Sequence, residues 1–267
     1  MDISRDTLVI INNFIKTRVK DANSDGVVLG LSGGIDSAVT LSLSVAALGS
    51  DRVTGLIMPY EHTESVDLAK HHAEQLNVNT ETVSIKQIVE SFKSSSSLFA
   101  EKLSEGNLHS RIRMSILYGA GFSSNRLVIG TSNKSELLTG YWTKWGDGGT
   151  DFLPIGDLYK SQVYSLGEEL GVPSGILSRK PTAELWEGQT DEEEFGFTYL
   201  ELDQVLFNLE RFDNVSQISE KTGISLEKIA KIKKLIQLSI HKRVFPPVCQ
   251  IGLRTVGLDW PETIGTQ

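Results

Sequence analysis

The segment Val27–Ser37, with the sequence VVLGLSGGIDS, constrains the fold more than any other part of the chain. Its apolar half is typical of a strand that is buried on both faces of a parallel sheet. The two adjacent glycines allow backbone conformations that other residues avoid and let a ligand approach the main chain. The final aspartate and serine stand at a predicted helix N-terminus, where unpaired N–H groups favour an anion. The segment therefore predicts a strand, a phosphate-binding turn and a helix.

Two common phosphate-binding motifs are excluded by spacing. GxxxxGK[ST] requires a lysine, and none lies between Lys20 and Lys70. GxGxxG requires glycine intervals that the segment from Gly30 to Gly34 lacks. SGGIDS after a buried strand instead resembles the pyrophosphate loop of the ATP pyrophosphatase (PP-loop) superfamily, whose members split ATP into AMP and pyrophosphate. The plainer alternative is a glycine-rich turn without a ligand.

The composition limits the class of protein. The chain has 267 residues, of which 39% are hydrophobic, enough for one large α/β domain or two small ones. A net charge of −8 argues against binding to a nucleic-acid backbone. The single cysteine, Cys249, suits a reducing compartment. No apolar run approaches the roughly 20 residues of a membrane span, and no signal peptide is recognised. We therefore predict a cytoplasmic protein without membrane or nucleic-acid partners.

Apolar runs and helical patterns alternate along the first half of the chain. This alternation predicts an α/β fold with an open, mostly parallel, doubly wound sheet flanked by helices and with C-terminal helices packed on it. His71 and His72 have no third histidine or cysteine nearby, so we expect a solvated helix face and no metal site. The predicted strands are Val27–Leu31, Arg52–Met58, Asn79–Ile85 and Arg126–Gly130, and the helices between and around them are Ser4–Val19, Ser37–Leu48, Thr63–Leu76, Asn107–Phe122 and Tyr159–Leu170.

Three later segments depart from this alternation. Thr131–Lys160 is rich in glycine and aromatic residues and has little periodicity, which is typical of an ordered functional loop. Ser178–Phe195 is polar and acidic and is predicted to form a mobile flap. The segment QISEKTGISLEKIAKI has the pattern of a helix-turn-helix DNA-binding motif. The acidic composition of the chain instead favours a helical hairpin that packs on the sheet.

Four motifs together resemble the ammonia-dependent NAD synthetases over nearly the whole chain. They are GLSGGIDS at Gly30–Ser37, the run from Gly130 to Lys160, KPTAEL at Lys180–Leu185 and HKR at His241–Arg243. The long run is the most specific, whereas SGGIDS also occurs in GMP synthetase and tRNA-modifying enzymes. The resemblance implies one NAD synthetase domain over 1–267, with an N-terminal helix at 1–25, an adenine nucleotide alpha hydrolase-like core at 26–178, the flap at 179–197 and C-terminal helices and a tail at 198–267.

The resemblance also implies a reaction, the last step of NAD biosynthesis. The nicotinic acid carboxylate of deamido-NAD attacks the α-phosphate of ATP and forms an adenylated acyl intermediate with release of pyrophosphate. Ammonia then displaces AMP and gives NAD. Mg²⁺ is the expected metal, because it neutralises charge that develops between the phosphates. The chain length leaves no room for a built-in glutaminase domain, so free ammonia is the expected donor, and a homodimer with the substrate near its interface is expected.

The resemblance also implies roles for individual residues of these motifs. Asp36 and Glu136 are the expected metal ligands. Asp147 is a candidate for the ammonium site, with His241 as an alternative base. Trp142 and Trp145 either stack on the nicotinate ring or belong to the core. The residues expected to bind ATP are Gly30, Leu31, Ser32, Gly33, Gly34, Ile35, Asp36, Ser37, Thr131, Lys160 and Thr182; those expected to bind deamido-NAD are Arg111, Lys144, Asp151, His241 and Lys242; and those expected to be catalytic are Asp36, Lys160, Thr182 and Asp147.

Two points stay open at this level. GTSNKSE differs from the GTDHAAE type found in many bacterial members, so Thr131 and Glu136 keep their spacing while the contacts of Ser132–Ser135 are undetermined. The alternatives to amidation of deamido-NAD are another adenylating PP-loop enzyme, such as a GMP synthetase subunit or a tRNA thiolase, and a non-enzymatic ATP-binding module. A tRNA enzyme is disfavoured because the chain has neither a basic composition nor paired cysteines.

Overall fold

The computed structural model of the chain describes residues 6–182, 190–253 and 255. Its centre is one parallel sheet with the strand order β3-β2-β1-β4. The chain moves outward from β1 to β3 and then returns to the other side of β1, so the strand order reverses between β1 and β4. Ligands bind at the carboxyl ends of strands beside such a reversal. The strands are β1 (Gly26–Gly30), β2 (Val53–Ile57), β3 (Asn79–Thr82) and β4 (Arg126–Val128).

Helices cover both faces of this sheet. The bounds are α1 (Thr7–Asp21), α2 (Ile35–Leu48), α3 (Glu64–Gln75), α4 (Lys86–Ser95), α5 (Lys102–Ser123), α6 (Lys134–Thr139), α7 (Lys160–Glu169), α8 (Ser174–Leu177), α9 (Asp191–Phe195), α10 (Tyr199–Glu210), α11 (Val215–Thr222), α12 (Leu226–Leu238) and α13 (Ile240–Arg243), with short 3₁₀ turns at Ser50–Arg52 and Ser97–Phe99.

Alternate side chains of β1 point into two different cores. Val27 and Leu29 pack with apolar residues of α1, α2, α3 and α7. Val28 packs on the opposite face with residues of α4 and α5. All three are fully buried, as expected of a central strand whose side chains alternate between faces. The predicted open, parallel sheet with helices on both faces is confirmed.

The C-terminal helices build a third core on α6 and α7. Ile218 of α11 and Ile229 and Ile232 of α12 are fully buried there. The segment with the helix-turn-helix pattern is therefore a helical hairpin, and it packs on other helices of the chain. In the part of the chain that the structure describes, no helix is long and apolar enough to cross a membrane.

One prediction about the helices is wrong. His72 does not face solvent but is buried between α3 and α2, where its Nε2 lies 3.1 Å from Ser42 Oγ and 3.2 Å from the Ala38 carbonyl oxygen. Burial lowers the pKa of this imidazole. The small residues of α2 leave room for the ring, which the local pattern around His72 does not reveal. His71 is exposed, as predicted.

Candidate active site

The loop between β1 and α2 is held by its own serines. Gly34 N donates to Ser32 Oγ at 3.2 Å, and Ser32 N donates to Ser37 Oγ at 3.3 Å. Ser37 Oγ in turn donates to the Gly34 carbonyl at 3.0 Å. Gly33 has a φ of +78°, and a Cβ there would lie 2.2 Å from the Ser65 carbonyl oxygen. The loop therefore wraps the N-terminus of α2 in a compact turn that a side chain at position 33 would disrupt.

Asp36, Glu136 and Lys160 meet beside this loop. Lys160 Nζ donates to Asp36 Oδ2 at 2.5 Å and to Glu136 Oε1 at 3.0 Å. The exposed fractions of the side chains are 4% for Lys160, 17% for Asp36 and 15% for Glu136. Two motifs thus contribute to one charged cluster at the carboxyl edge of β1 and β4, in which Asp36 and Lys160 are 124 positions apart in the sequence.

The buried charges of the cluster shift each other's pKa values. Burial acts to lower the pKa of Lys160, but the charges of Asp36 and Glu136 outweigh it and hold that pKa above its usual range. Burial raises the pKa of Glu136, and Lys160 opposes that change. These effects favour a charged Lys160 ammonium group, whereas burial outweighs Lys160 at Glu136 and leaves its pKa raised to about 8.

Asn133 orients both carboxylates. Its side chain is fully buried and donates from Nδ2 to Asp36 Oδ1 at 2.9 Å. It also caps α6, because its Oδ1 accepts from Glu136 N at 3.1 Å while Glu136 Oε2 accepts from Asn133 N at 3.3 Å. This capping box follows the rule that an asparagine N-cap pairs with a glutamate three residues later. The role of Asn133 was left open by the sequence and is now assigned by these contacts.

A buried carboxylate of α10 fixes the start of α7. Ser135 Oγ donates to Asp203 Oδ1 at 2.5 Å and accepts from Lys160 N at 3.0 Å, while Ser161 N donates to Asp203 Oδ2 at 2.8 Å. Sequence reasoning missed Asp203. The available signal was a lone acidic residue on the apolar stripe of a predicted helix, between Leu202 and Leu206.

Helix α9 places Asp191 next to the charged cluster. Asp191 is buried, and Tyr199 Oη donates to its Oδ2 at 2.9 Å. Burial raises the pKa of Asp191, and the charge of Lys160 opposes this. Lys160 Nζ lies 5.0 Å from the centre of the Tyr199 ring. The acidic run Asp191–Glu194, which is part of the predicted mobile flap, therefore contributes a buried side chain.

The predicted mobile flap includes residues 183–189, which lie outside the described residues. Thr182 is half-buried immediately before that segment, and Thr131 is half-buried after β4. The mobility of the flap and the contacts of both threonines with ATP stay predictions.

Four of the predicted deamido-NAD residues gather around loop 140–147, which follows α6. Arg111 Nε donates to the Lys144 carbonyl at 3.4 Å, and Lys144 Nζ donates to the His241 carbonyl at 2.7 Å. Lys242 Nζ donates to the carbonyl oxygens of Gly140 and Trp142 at 2.6 and 2.5 Å. The structure thus brings Arg111, Lys144, His241 and Lys242 together through backbone carbonyl groups.

Asp147 stabilises the same loop. Its Oδ1 accepts from Ser110 Oγ at 2.6 Å and from Thr143 N at 2.9 Å, and its own N–H donates to Ser110 Oγ at 2.8 Å. These contacts anchor the loop to α5. They give Asp147 a structural role and do not test its assignment to an ammonium site.

Asp151 lies apart from this group in its contacts. It accepts from Val128 N at 2.7 Å and from Tyr118 Oη at 3.1 Å. Burial and the charge of Asp151 raise the pKa of Tyr118 to about 12. Asp151 is therefore fixed at β4 and α5, beside an exposed part of α5.

The two tryptophans have different surroundings. Trp142 is half-buried, and a Cβ on Gly148 would lie 2.1 Å from its ring. Trp145 is 56% exposed and has a φ of +63°. Lys242 Nζ lies 5.7 Å from the Trp142 ring and Lys144 Nζ lies 5.5 Å from the Trp145 ring. Trp142 therefore belongs to the packing of the loop, whereas Trp145 offers a free ring face.

The donor set of the cluster fits Mg²⁺. Asp36 and Glu136 each place a carboxylate oxygen within 3.0 Å of the same Nζ, so one cation can bridge them. Among residues 6–182, 190–253 and 255, no group of three or more His, Cys, Asp or Glu is placed to hold a metal ion. Two hard oxygen ligands from the protein are typical of Mg²⁺ that is bound largely through substrate phosphates.

Known proteins resemble this chain over most of its length. The family model of NAD synthase matches residues 7–246. An NH₃-dependent NAD⁺ synthetase of Thermococcus kodakarensis is 46% identical over 91% of this chain and 96% of its own length. Among solved structures, an NMN synthetase from Francisella tularensis has a TM-score of 0.83 and 36% identity, covering 94% of this chain and all of that one. An NH₃-dependent NAD synthetase from Campylobacter jejuni has a TM-score of 0.79 and 34% identity, covering 92% and 99%. The chain belongs to the NAD synthase family.

Proposed function

We propose that the protein catalyses the ATP-dependent amidation of deamido-NAD by ammonia, a ligase reaction that forms a carbon–nitrogen bond and yields NAD, AMP and pyrophosphate. The observation that carries the proposal is the cluster of Asp36, Glu136 and Lys160 beside the SGGIDS loop, in a chain of the NAD synthase family. A carboxylate is a poor electrophile, so its activation as an acyl adenylate gives ammonia a reactive carbonyl group.

The loop and the cluster act on ATP. Backbone N–H groups at the start of α2 and the side chains of Ser32 and Ser37 receive the pyrophosphate that leaves. Asp36 and Glu136 would hold Mg²⁺, which neutralises charge between the phosphates during the attack on the α-phosphate. Lys160 donates to the phosphates from its buried position. Thr131 and Thr182 complete the contacts with ATP.

The cations around loop 140–147 bind the dinucleotide. Arg111, Lys144 and Lys242 already surround one loop, and they supply positive charge for two phosphates and a carboxylate. His241 and Asp151 are the remaining contacts, and the exposed ring of Trp145 is suited to stacking on the nicotinate. Asp147 attracts the ammonium ion at the edge of this loop.

A second copy of the chain is the proposed partner, and the cytoplasm is the proposed location. Helix α5 carries Arg111 and also exposes Leu103, Tyr118 and Phe122, the last at 93%. Apolar surface of this kind next to a binding site is typical of a subunit interface. Light scattering of the purified protein tests the dimer, and Phe122→Asp is expected to weaken it.

A second candidate function is synthesis of a mononucleotide amide. It is favoured by the structural similarity to an NMN synthetase. The two functions differ in the acyl substrate, so one experiment separates them. Deamido-NAD would be the preferred substrate under the first proposal, and nicotinic acid mononucleotide under the second.

The deciding assay uses purified protein with ATP, Mg²⁺ and ammonium. Deamido-NAD and nicotinic acid mononucleotide are offered in separate reactions, and chromatography measures NAD or NMN, AMP and pyrophosphate. Glutamine replaces ammonium in a parallel reaction and is expected to give little product. Asp36→Asn serves as the inactive control. Absence of NAD with an intact fold would refute the main proposal.

A further inference from the structure

The ammonium group of Lys160 lies where the carboxylates of Asp36 and Glu136 converge. Both accept a hydrogen bond from the same Nζ, at 2.5 and 3.0 Å. Two carboxylates that are this close and this buried repel each other unless a cation lies between them. Lys160 supplies that cation from within the chain.

A divalent metal would use the same carboxylate oxygens. Asn133 holds Asp36 Oδ1 and Glu136 Oε2. Asp36 Oδ2 and Glu136 Oε1 both accept from Lys160, so a metal in the same place would use this pair of oxygens. No third acidic or imidazole ligand joins these two within the described residues. The metal and the Lys160 ammonium therefore compete for the same two groups.

We propose that Lys160 is a resident counter-ion that keeps divalent metal away from Asp36 and Glu136 until a nucleotide binds. The phosphates of the nucleotide then receive the ammonium group, and the two carboxylates become available to the metal. The Tyr199 ring lies 5.0 Å from Nζ. Its face attracts the ammonium group while that group moves toward the phosphates. Metal and nucleotide consequently favour each other's binding.

This inference rests on the proposed metal ligands, Asp36 and Glu136, and not on the identity of the acyl substrate. It also explains why a lysine is so deeply buried, since its charge is needed inside the cluster in the nucleotide-free protein. A lysine that only contacted ATP would gain nothing from burial between two carboxylates.

The test measures Mn²⁺ binding to the nucleotide-free, full-length protein by electron paramagnetic resonance of free Mn²⁺. Lys160→Met is expected to bind one Mn²⁺ at least about tenfold more tightly than the wild type, because the competing charge is gone. Adding Glu136→Gln to Lys160→Met is expected to abolish the gain. Lys228→Met is the matched control, because Lys228 pairs with a single carboxylate, Glu201, that is not part of the cluster. It is expected to bind Mn²⁺ as the wild type does.

Equal Mn²⁺ affinity in the wild type and Lys160→Met would overturn the proposal, as would a gain that survives Glu136→Gln. If Lys160→Met does not fold, the wild type decides the matter. Mn²⁺ alone is expected to leave its Tm unchanged, whereas Mn²⁺ with a non-hydrolysable ATP analogue raises Tm above the analogue alone. A rise with Mn²⁺ alone that Asp36→Asn removes would refute the competition. Neither readout needs deamido-NAD or ammonia, so the outcome is separate from that of the amidation assay.

Discussion

Asn133 and Asp36 are 97 positions apart in the sequence, yet Asn133 Nδ2 donates a hydrogen bond to Asp36 Oδ1 at 2.9 Å. The same asparagine caps α6 and accepts from the backbone of Glu136. One fully buried amide thereby fixes the orientation of two carboxylates that arise from different motifs. Residues that orient metal ligands typically change metal affinity or activity by about 10–100-fold when they are replaced.

Asn133→Ala is expected to lower kcat or raise the Mg²⁺ requirement at least about tenfold. It is also expected to reduce the free energy of unfolding by about 2 kcal/mol, because the helix cap and the bond to Asp36 are lost. Steady-state amidation with a Mg²⁺ titration and chemical denaturation measure the two effects. Asn214→Ala is the control, because Asn214 caps α11 with the same capping box in the C-terminal hairpin. It is expected to cost stability but no activity. Full activity of Asn133→Ala at low Mg²⁺ would contradict the assignment.

Gly33→Ala tests the shape of the phosphate loop. The substituted Cβ would lie 2.2 Å from the Ser65 carbonyl oxygen, and the φ of +78° is strained for alanine. Gly223→Ala is the control for the backbone strain alone, because Gly223 has a φ of +72° and open space around it. We expect Gly223→Ala to cost about 1 kcal/mol, and Gly33→Ala to cost more and to weaken ATP binding measured by calorimetry. Equal stability of the two variants with unchanged ATP affinity would show that the loop tolerates a side chain.

Much of the site could be predicted because its residues follow local rules. The apolar run of β1 and the glycines after it indicate a buried strand and a phosphate loop wherever they occur. Parallel strands bring their carboxyl ends to one edge, so Asp36 after β1 and Glu136 after β4, the two expected metal ligands, belong at the same edge of the sheet. The contacts of Lys160 with Asp36 and Glu136 agree with that expectation.

The polar residues that support the site could not be predicted in the same way. Asp191 lies in an acidic segment whose composition indicates exposure, whereas Asp203 is a charged residue on the apolar stripe of its helix. Packing among α6, α7, α9 and α10 buries both of them. His72 is buried for the same reason. Long-range packing decides whether a polar side chain is buried, and the periodicity of its own helix carries little information about its partners.

Asp203→Asn tests the support beneath Lys160. The variant loses the charge that accepts from Ser135 Oγ and Ser161 N, so we expect the free energy of unfolding to fall by about 1–3 kcal/mol and kcat to fall as Lys160 is displaced. Asp157→Asn is the control, because the Asp157 side chain is 97% exposed, and an exposed pair contributes little. Thermal unfolding and the amidation assay provide the measurements. A variant as stable and active as Asp157→Asn would rule out this supporting role.

His109 makes stability depend on pH. Burial, and then the charge of Arg113, lower the pKa of His109 to about 4 from an ordinary value of 6.5. The unfolded chain therefore takes up a proton first as the pH falls, and stability is lost between pH 6.5 and 4. The loss from this group is at most about 3 kcal/mol. His109→Phe keeps a ring beside Tyr60, which stacks on His109 with ring centres 4.6 Å apart. The His109→Phe variant is expected to flatten the pH dependence of the denaturation midpoint between pH 6.5 and 4. An unchanged slope would exclude His109 as the source of that pH dependence.

Tyr199→Phe tests the attachment of α9. The variant keeps the ring beside Lys160 but removes the hydroxyl that donates to the buried Asp191 at 2.9 Å. Asp191 Oδ1 has no hydrogen-bond partner among the described residues, so losing the bond to Oδ2 removes a hydrogen bond from a buried carboxylate, and this favours release of the helix. We expect faster protease cleavage within Ser178–Phe195, with protection restored by ATP and deamido-NAD, as mapped by limited proteolysis and mass spectrometry. Tyr159→Phe is the matched control, because it removes a hydroxyl that donates to Glu210 at 2.5 Å in the same core, away from α9. Equal cleavage in Tyr199→Phe, Tyr159→Phe and the wild type would mean that this hydrogen bond does not hold α9 against the charged cluster.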